Sequence, residues 1–205
     1  MNSLKQYDLV KSQLRAGDLV IFWGVGPLSW TIEGFDGGPS HSAVIRRPCT
    51  DQGEDARLIQ STIQTWNGKS INGVQSEPLG ETISGYDAGG SIAALLLRDD
   101  IHDKLDWFKF YAMCGASDGF IGYDTADLFE FLARSIPILG NYVYQKEHPN
   151  KMVCSSWATA LYEVAGVLTG LNYTKTMPQD LLEKNIFKGH VTLYGKPNLV
   201  RFNTI

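Results

Sequence analysis

Cys154 and His41 are the residues of this sequence whose types and positions best fit a chemical reaction. Cys154 follows the apolar pair Met152-Val153 and stands at the start of a segment with helical periodicity. The N–H groups at the start of a helix stabilise a thiolate, and a nearby histidine can lower a cysteine pKa from about 8.5 to roughly 3.5–7.5. A thiolate is a nucleophile for acyl transfer, and the backbone N–H of Cys154 would face the oxygen of a tetrahedral intermediate. The alternative interpretation of Cys154 is a small buried hydrophobic residue.

His41 fits the general base of such a pair because it begins a predicted strand after a glycine-rich loop. The alternative is a strand-end histidine that is hydrogen-bonded to a loop. A Cys–His pair also needs a third group, which orients the imidazole and fixes its tautomer. Gln60 and Ser61 in the next strand are the candidates, and only one of them can approach the ring because adjacent strand residues face opposite sides. Gln60 can accept the imidazole N–H through its amide oxygen.

The spacing of the cysteines and histidines argues against metal binding. Cys49, Cys114 and Cys154 form no CxxC pair, and no two of the four histidines are three to five residues apart. The pattern Gly24-Val25-Gly26 lacks the remaining glycine of a dinucleotide-binding motif, and the sequence has no GxxxxGK[ST] motif. The sequence therefore predicts free thiols, no metal and no cofactor.

Short runs of β-branched and aromatic residues between turn residues predict the strands that position this pair. The predicted strands are Asp18–Trp23, Ser40–Arg46, Arg57–Thr65, a return from Gly73 to Pro78 after an Asn67-Gly68 turn, Ile92–Arg98, and one or two between His190 and Phe202. The strand that contains His41 should therefore pair with the strand that contains Gln60.

Apolar residues at helical spacing predict three helices in the second half of the chain. The first starts at Asp99-Asp100 and carries Ile101, Leu105, Phe108 and Ala112; the second is capped by Asp124 and carries Leu128, Phe131 and Leu132; the third spans Ser155–Leu168, with Cys154 at its start. With no internal repeat and no linker, residues 1–205 are predicted to form one α+β domain.

The composition predicts a soluble globular protein. Hydrophobic residues make up 43% of the 205 residues, charged residues make up 20%, and the formal net charge is −4. There is no run of Lys or Arg that would indicate nucleic-acid binding or a polybasic membrane patch. The apolar runs are far shorter than the roughly 20 residues of a membrane span, and Met1–Lys11 lacks the pattern of a signal peptide. We therefore expect a cytoplasmic location.

The order of five motifs resembles the circularly permuted branch of the NlpC/P60 papain-like superfamily, the YaeF/YiiX-type amidase family. The segment Leu14–Val20 is similar to the family's opening GDL strand, Ser40–Val44 to its SHxGI/V strand, and Val153–Ser156 to its CSE nucleophile helix. In addition, Gly122–Asp124 resembles the family's YD helix start, and Met177–Leu181 its TPxDL segment. Together these motifs span most of the chain.

The resemblance implies a permuted papain-like fold, in which an antiparallel sheet packs against helices. It makes Cys154 the nucleophile and His41 the base, and His41 precedes Cys154, which is the reverse of the ordinary papain order. It also implies that Tyr123 contacts the substrate or the oxyanion. The implied reaction is hydrolysis of an amide bond, in a peptide or cell-wall peptide, through an acyl-enzyme at Cys154. The resemblance implies no cofactor.

Two departures from the family pattern leave alternatives open. Many relatives have an acidic residue in the strand after the histidine, whereas this chain has Ile59-Gln60-Ser61. Where they have Cys-Ser-Glu, it has Cys154-Ser155-Ser156. The third catalytic residue is therefore Gln60, Ser61 or a more distant residue. A lipid acyl substrate, on which related papain-like branches act, and an inactive binding module that keeps the fold are the alternative functions.

Overall fold

Six antiparallel strands form a single sheet in the part of the chain that the structure describes. The computed structural model describes residues 4–24, 38–62, 72–86, 89–122, 153–169 and 176–199. The strands are β1 (Leu19–Trp23), β2 (His41–Arg47), β3 (Arg57–Thr62), β4 (Gly73–Pro78), β5 (Ser91–Leu97) and β6 (Phe187–Tyr194). They lie in the order β4-β3-β2-β1-β5-β6. The predicted pairing of the strands that contain His41 and Gln60 is confirmed.

Helices flank this sheet, which confirms the predicted α+β class. They are α1 (Lys5–Val10), α2 (Leu79–Ser84), α3 (Asp99–His102), α4 (Trp107–Ser117), α5 (Cys154–Val164) and α6 (Pro178–Leu182), with a 3-10 turn at Lys11–Gln13. None of the helices within the described ranges has both the length and the hydropathy of a membrane span. The predicted turn at Asn67-Gly68, the helix capped by Asp124, and Tyr123 lie outside the described residues.

The sheet has a hydrophobic cluster on each face because successive residues of a strand point to opposite sides. In β1, Leu19 and Ile21 belong to one cluster, whereas Val20 and Phe22 belong to the other. All four side chains are fully buried, which explains why β1 is apolar at every position rather than at alternate ones. Residues of α4 and α5 complete the first cluster, and residues of α1 and α2 complete the second.

The single helix predicted from Asp99 onward is wrong, since the structure has two helices there. The side chain of Asp106 accepts a hydrogen bond of 3.0 Å from the backbone N–H of Lys109 and caps α4 as a new helix. This restart changes the buried face, so that Phe110 and Cys114 are fully buried while Phe108 is 84% exposed. The predicted buried position of Phe108 is therefore wrong as well.

The buried Asp18 links elements of the sheet that lie next to the Cys154 helix. Asp18 accepts hydrogen bonds from the backbone N–H of Arg15 at 2.7 Å and of Leu97 at 2.8 Å. Beside it, Gly17 has a φ of 88°, and its carbonyl accepts a hydrogen bond of 2.8 Å from the hydroxyl of Tyr162 in α5. These contacts join the start of β1 to the end of β5 and to α5.

Candidate active site

Cys154 is the first residue of α5, where the structure leaves the helix N-terminus uncapped by a side chain. The preceding Val153 has an extended backbone, with φ −75° and ψ 168°, and makes no side-chain cap. The backbone N–H of Trp157 bonds to the Val153 carbonyl at 3.0 Å, so the N–H groups of the first turn before it have no partner within the helix. The Cys154 thiol therefore lies at the positive end of an eleven-residue helix that packs against β2 and β3.

His41 is the first residue of β2 and is held by its neighbours on both adjacent strands. Its Cα pairs with that of Phe22 in β1, and the two ring centroids are 5.2 Å apart. Its Nε2 atom lies 2.6 Å from Oε1 of Gln60 in β3. The chain just before it is also fixed, because the N–H of Ser40 bonds to the Phe22 carbonyl at 2.8 Å. These sheet residues thus fix the position of the imidazole.

Helix α6 lies against the segment that leads into β2. A Cβ atom added to Gly38 would collide with the side chain of Gln179, which is buried in α6. Because α6 also packs against α5, it contacts the helix of Cys154 on one side and the approach to His41 on the other. The segment Met177–Leu181, which resembles a family motif, therefore supports both halves of the candidate site.

The electrostatics of Cys154 and His41 favour a thiolate and an imidazolium. Burial raises the pKa of Cys154, but the charge and hydrogen bond of His41, together with the polar groups of Ser42, lower it by more than burial raises it, so the net pKa lies below the ordinary value. Burial lowers the pKa of His41, but the thiolate and the hydrogen bond to Gln60 raise it above its ordinary value overall. Because Nε2 is 2.6 Å from Gln60, we assign the hydrogen bond between His41 and Cys154 to Nδ1.

Ser42, beside His41 in β2, adds a second stabilising contact for the thiolate. Its backbone and its hydroxyl both lower the pKa of the Cys154 thiol. The Ser42 side chain is fully buried, and its Oγ atom has no hydrogen-bond partner among the residues that the structure describes. The hydroxyl is therefore available to donate to the Cys154 thiolate. Ser42 was not among the site residues predicted from the sequence, although its position next to the candidate base is visible there.

Glu77 is a second residue that the sequence analysis missed. The amide nitrogen of Gln60 donates a hydrogen bond to Oε1 of Glu77 in β4. Gln60 is fully buried and Glu77 is 7% exposed. Burial raises the pKa of Glu77, while the hydrogen bond from Thr82, the charge of His41 and the hydrogen bond from Gln60 oppose that rise. The register pairs Gln60 with Gln75, so Glu77 is a diagonal neighbour of Gln60 on the same face.

The structure thus brings three of the four sequence-predicted site residues together: Cys154, His41 and Gln60. Ser61, the alternative to Gln60, faces the opposite side of β3 and pairs with Val74. The fourth predicted residue, Tyr123, lies outside the described residues. The catalytic role of the three residues stays a prediction.

The remaining cysteines and histidines that the structure describes lie elsewhere. His102 packs against Trp107, with ring centroids 4.9 Å apart, and His190 pairs with Leu95 in the sheet. In residues 4–24, 38–62, 72–86, 89–122, 153–169 and 176–199, no three His, Cys, Asp or Glu side chains are placed to hold a metal ion. A cavity of about 550 Å³ lies between α1, the β2–β3 connection and α2, where Tyr7 and Cys49 line it. It includes none of the three residues of the candidate site.

Comparison with known proteins finds a solved structure at low identity and a low TM-score. No family model matches the chain, and no curated protein sequence matches it. Among solved structures, the chain is similar to the crystal structure of the metalloprotein YiiX from Escherichia coli O157:H7. The two share 14% identity, the match covers 94% of each chain, and the TM-score is 0.43. YiiX gives its name to the family that the motifs resemble, but these values assign neither that family nor an activity to this chain.

Proposed function

We propose that this protein is a cysteine hydrolase that cleaves an amide bond, with Cys154 as nucleophile and His41 as general base. The observation that carries the proposal is the pairing of the Cys154 thiol with the His41 imidazole at a helix N-terminus. The net effect of their contacts is to lower the pKa of the thiol and to raise the pKa of the imidazole. Such a pair supplies a thiolate at a pH where an isolated cysteine, with a pKa of about 8.5, is mostly protonated.

In the first half of the proposed reaction, His41 takes the thiol proton on Nδ1 and the Cys154 thiolate attacks the carbonyl carbon of the amide. The resulting oxyanion lies near the backbone N–H of Cys154. The C–N bond then breaks, and the imidazolium gives its proton to the leaving amine. The product of this half is a thioester between Cys154 and the acyl group, together with a free amine.

In the second half, water hydrolyses this thioester. His41, again neutral, accepts a proton from the water molecule as its oxygen attacks the thioester carbonyl. The C–S bond breaks, the carboxylic acid leaves, and the proton returns from His41 to the Cys154 sulfur. Gln60 keeps the imidazole in place throughout by accepting the N–H of its other nitrogen. The residues supply each step without a cofactor.

The family resemblance of the motifs favours a peptide amide, such as one of a cell-wall peptide, as the substrate. The same chemistry applies to a lipid acyl ester, because a thiolate attacks both kinds of carbonyl. The two substrate classes are distinguished by which class of probe leaves an acyl group on Cys154. Peptide p-nitroanilides represent the amide class, and p-nitrophenyl esters of long-chain fatty acids represent the lipid class.

The test is mass spectrometry of the protein after brief incubation with each class of probe, followed by mapping of the modified peptide. We expect an added acyl mass on Cys154 and release of the chromophore. Cys154→Ala should abolish both signals, while Cys114→Ala, which removes another buried thiol, should leave both unchanged. Equal chromophore release by the wild type and by Cys154→Ala would contradict the proposal. Binding of a probe without acylation would favour the inactive binding module instead.

A further inference from the structure

Three polar side chains form a buried row across the strands next to Cys154. His41 in β2, Gln60 in β3 and Glu77 in β4 are linked by the contact from His41 Nε2 to Gln60 Oε1, at 2.6 Å, and by the hydrogen bond from Gln60 Nε2 to Glu77 Oε1. Both Gln60 and Glu77 are buried. Glu77 is therefore one side chain removed from the imidazole of the candidate base.

The two ends of the Gln60 amide differ in what they can bind. The amide oxygen only accepts hydrogen bonds, whereas the amide nitrogen only donates them. If the amide were reversed, its nitrogen would donate to His41 Nε2, and the proton of the neutral ring would then be on Nδ1. That tautomer has no lone pair facing Cys154 and could not take the thiol proton. The orientation of Gln60 therefore decides which nitrogen of His41 is basic.

Glu77 favours one of these two orientations. An ionised carboxylate only accepts hydrogen bonds, so it requires the amide nitrogen of Gln60 on its side. The amide oxygen of Gln60 then faces His41 and requires a proton on Nε2. In the neutral ring this arrangement leaves the lone pair on Nδ1, the nitrogen that faces Cys154. A carboxylate beside Gln60 also stabilises the imidazolium through its charge.

We propose that Glu77 is a positioning residue, which fixes the orientation of the Gln60 amide and through it the Nε2-protonated tautomer of His41. The inference rests on the proposed function, because it assigns a role toward the candidate base. It predicts that the carboxylate which supports the imidazole is on β4, one strand beyond the residue that contacts the ring. Glu77 does not touch the thiol.

The test measures the tautomer of His41 from the ¹⁵N chemical shifts of its ring, above the pH at which the ring becomes neutral. A Cys154→Ala background removes the thiolate, so that the neutral ring is observed, and His41→Ala assigns its signals. With Glu77 present we expect the Nε2-protonated form. Glu77→Met, which has similar length but no acceptor, should shift the population toward Nδ1 protonation. The matched control is Glu81→Met, which removes an exposed carboxylate from the neighbouring helix α2 and should leave the tautomer unchanged.

A second readout uses Cys154 itself. In proteins that retain this thiol, Glu77→Met should slow the alkylation of Cys154 near neutral pH by about tenfold, which corresponds to a rise of one unit in the thiol pKa. Glu81→Met should not slow it. If Glu77→Met does not fold, Glu77→Gln replaces it, with a smaller shift in the same direction because two amides can reverse together.

An unchanged tautomer in a folded Glu77→Met protein, or in Glu77→Gln if that variant is the one that folds, would overturn the inference. The outcome for the proposed function is separate, because the tautomer is measured without substrate. If no probe acylates the wild type while Glu77→Met still shifts the tautomer, the hydrolase proposal fails and the role of Glu77 stands. If the wild type is acylated and the tautomer is unchanged, only the inference about Glu77 fails.

Discussion

Cys154 and Cys114 are both buried cysteines on neighbouring helices, yet their thiols have opposite properties. Cys114 lies in the middle of α4 and is fully buried, while Cys154 begins α5 and is 6% exposed. Burial raises the pKa of Cys114 to about 12. The nearby charges do not prevent this rise, because Arg46 lowers the pKa whereas Asp118 raises it. Burial acts in the same direction on Cys154, but its net pKa is lowered. The degree of burial therefore does not separate the two thiols.

The partners of the two thiols explain the difference. A buried thiol is held neutral unless a cation or hydrogen-bond donors stabilise its charged form. Cys154 has the His41 imidazole, the donors of Ser42 and the N-terminus of its helix, whereas Cys114 is packed among apolar side chains of the core. The lowered pKa of Cys154 is thus due to His41 and Ser42 at the start of β2. Removing these groups should make Cys154 resemble Cys114.

The largest effect is expected from His41→Ala. Without the imidazolium, burial dominates and the pKa of Cys154 rises, so its alkylation rate near neutral pH should fall toward that of Cys114. Turnover of any substrate identified by acylation should fall by roughly 10²–10⁴-fold, the usual contribution of a general base. Both quantities are measured by alkylation with iodoacetamide over a pH series, peptide mass spectrometry and steady-state kinetics.

The control for this prediction is His190→Ala, which removes a histidine from β6, away from the site. This variant should keep the wild-type difference in reactivity between Cys154 and Cys114. Persistence of that difference in a folded His41→Ala protein would show that the helix N-terminus and Ser42 are sufficient to activate the thiol. The assignment of His41 as the base would then be wrong.

The elements that carry the site could be predicted from the sequence because their signals are local. The apolar run of β1, the start of β2 at His41 and the helical pattern after Cys154 each lie within a few consecutive residues. The predicted third helix, Ser155–Leu168, also came close to the observed α5, which ends at Val164. Burial on both faces of the sheet made β1 recognisable, since it left no polar position in the strand.

The parts that could not be predicted depend on tertiary contacts. Helices α1 and α2 have six residues each, and packing of residues such as Tyr7 and Ile83 against the sheet stabilises them more than a sequence pattern does. The contact between Gln60 and Glu77 requires the β3–β4 register, which the sequence did not provide. Once Gln60 is paired with Gln75, the alternation of polar residues Gln75 and Glu77 in β4 becomes an identifiable signal.

A smaller effect is expected for Asp18, a buried carboxyl group, and it concerns the free energy of unfolding. Asp18 resembles Cys114 in that burial raises its pKa, here from 3.8 to about 6. The folded protein therefore binds this proton more tightly than the unfolded chain does. The resulting stabilisation is fully present below about pH 3.8 and is lost as the pH rises through about 6. A difference of about two pKa units corresponds to about 3 kcal/mol.

The measurement is urea unfolding of the wild type and Asp18→Asn between about pH 4 and pH 8. The wild-type free energy of unfolding minus that of the variant should fall by about 2 kcal/mol over this range, because part of the effect is already lost by pH 4 and asparagine does not titrate. Asp99→Asn is the control, since Lys188 and Arg15 lower the pKa of the exposed Asp99 below its ordinary value of 3.8. The stabilisation by Asp99 is lost only as the pH falls below about 4, so its difference should stay nearly constant over this range. A flat or rising difference for Asp18→Asn would show that burial does not raise the pKa of its carboxyl group.

The smallest expected effect comes from Ser42→Ala, which removes one donor to the Cys154 thiolate and leaves His41 in place. We expect the pKa of Cys154 to rise, so that alkylation near neutral pH slows by about tenfold. Ser156→Ala is the matched control, because its hydroxyl is also buried and has no partner among the residues that the structure describes. Ser156 is two residues after Cys154 in α5, but it does not contribute to the lowered pKa of that thiol. Equal slowing by the two variants would mean that the loss of any buried serine hydroxyl slows alkylation, and not the loss of a donor to the sulfur. Ser42 would then not contribute to the pKa difference between Cys154 and Cys114.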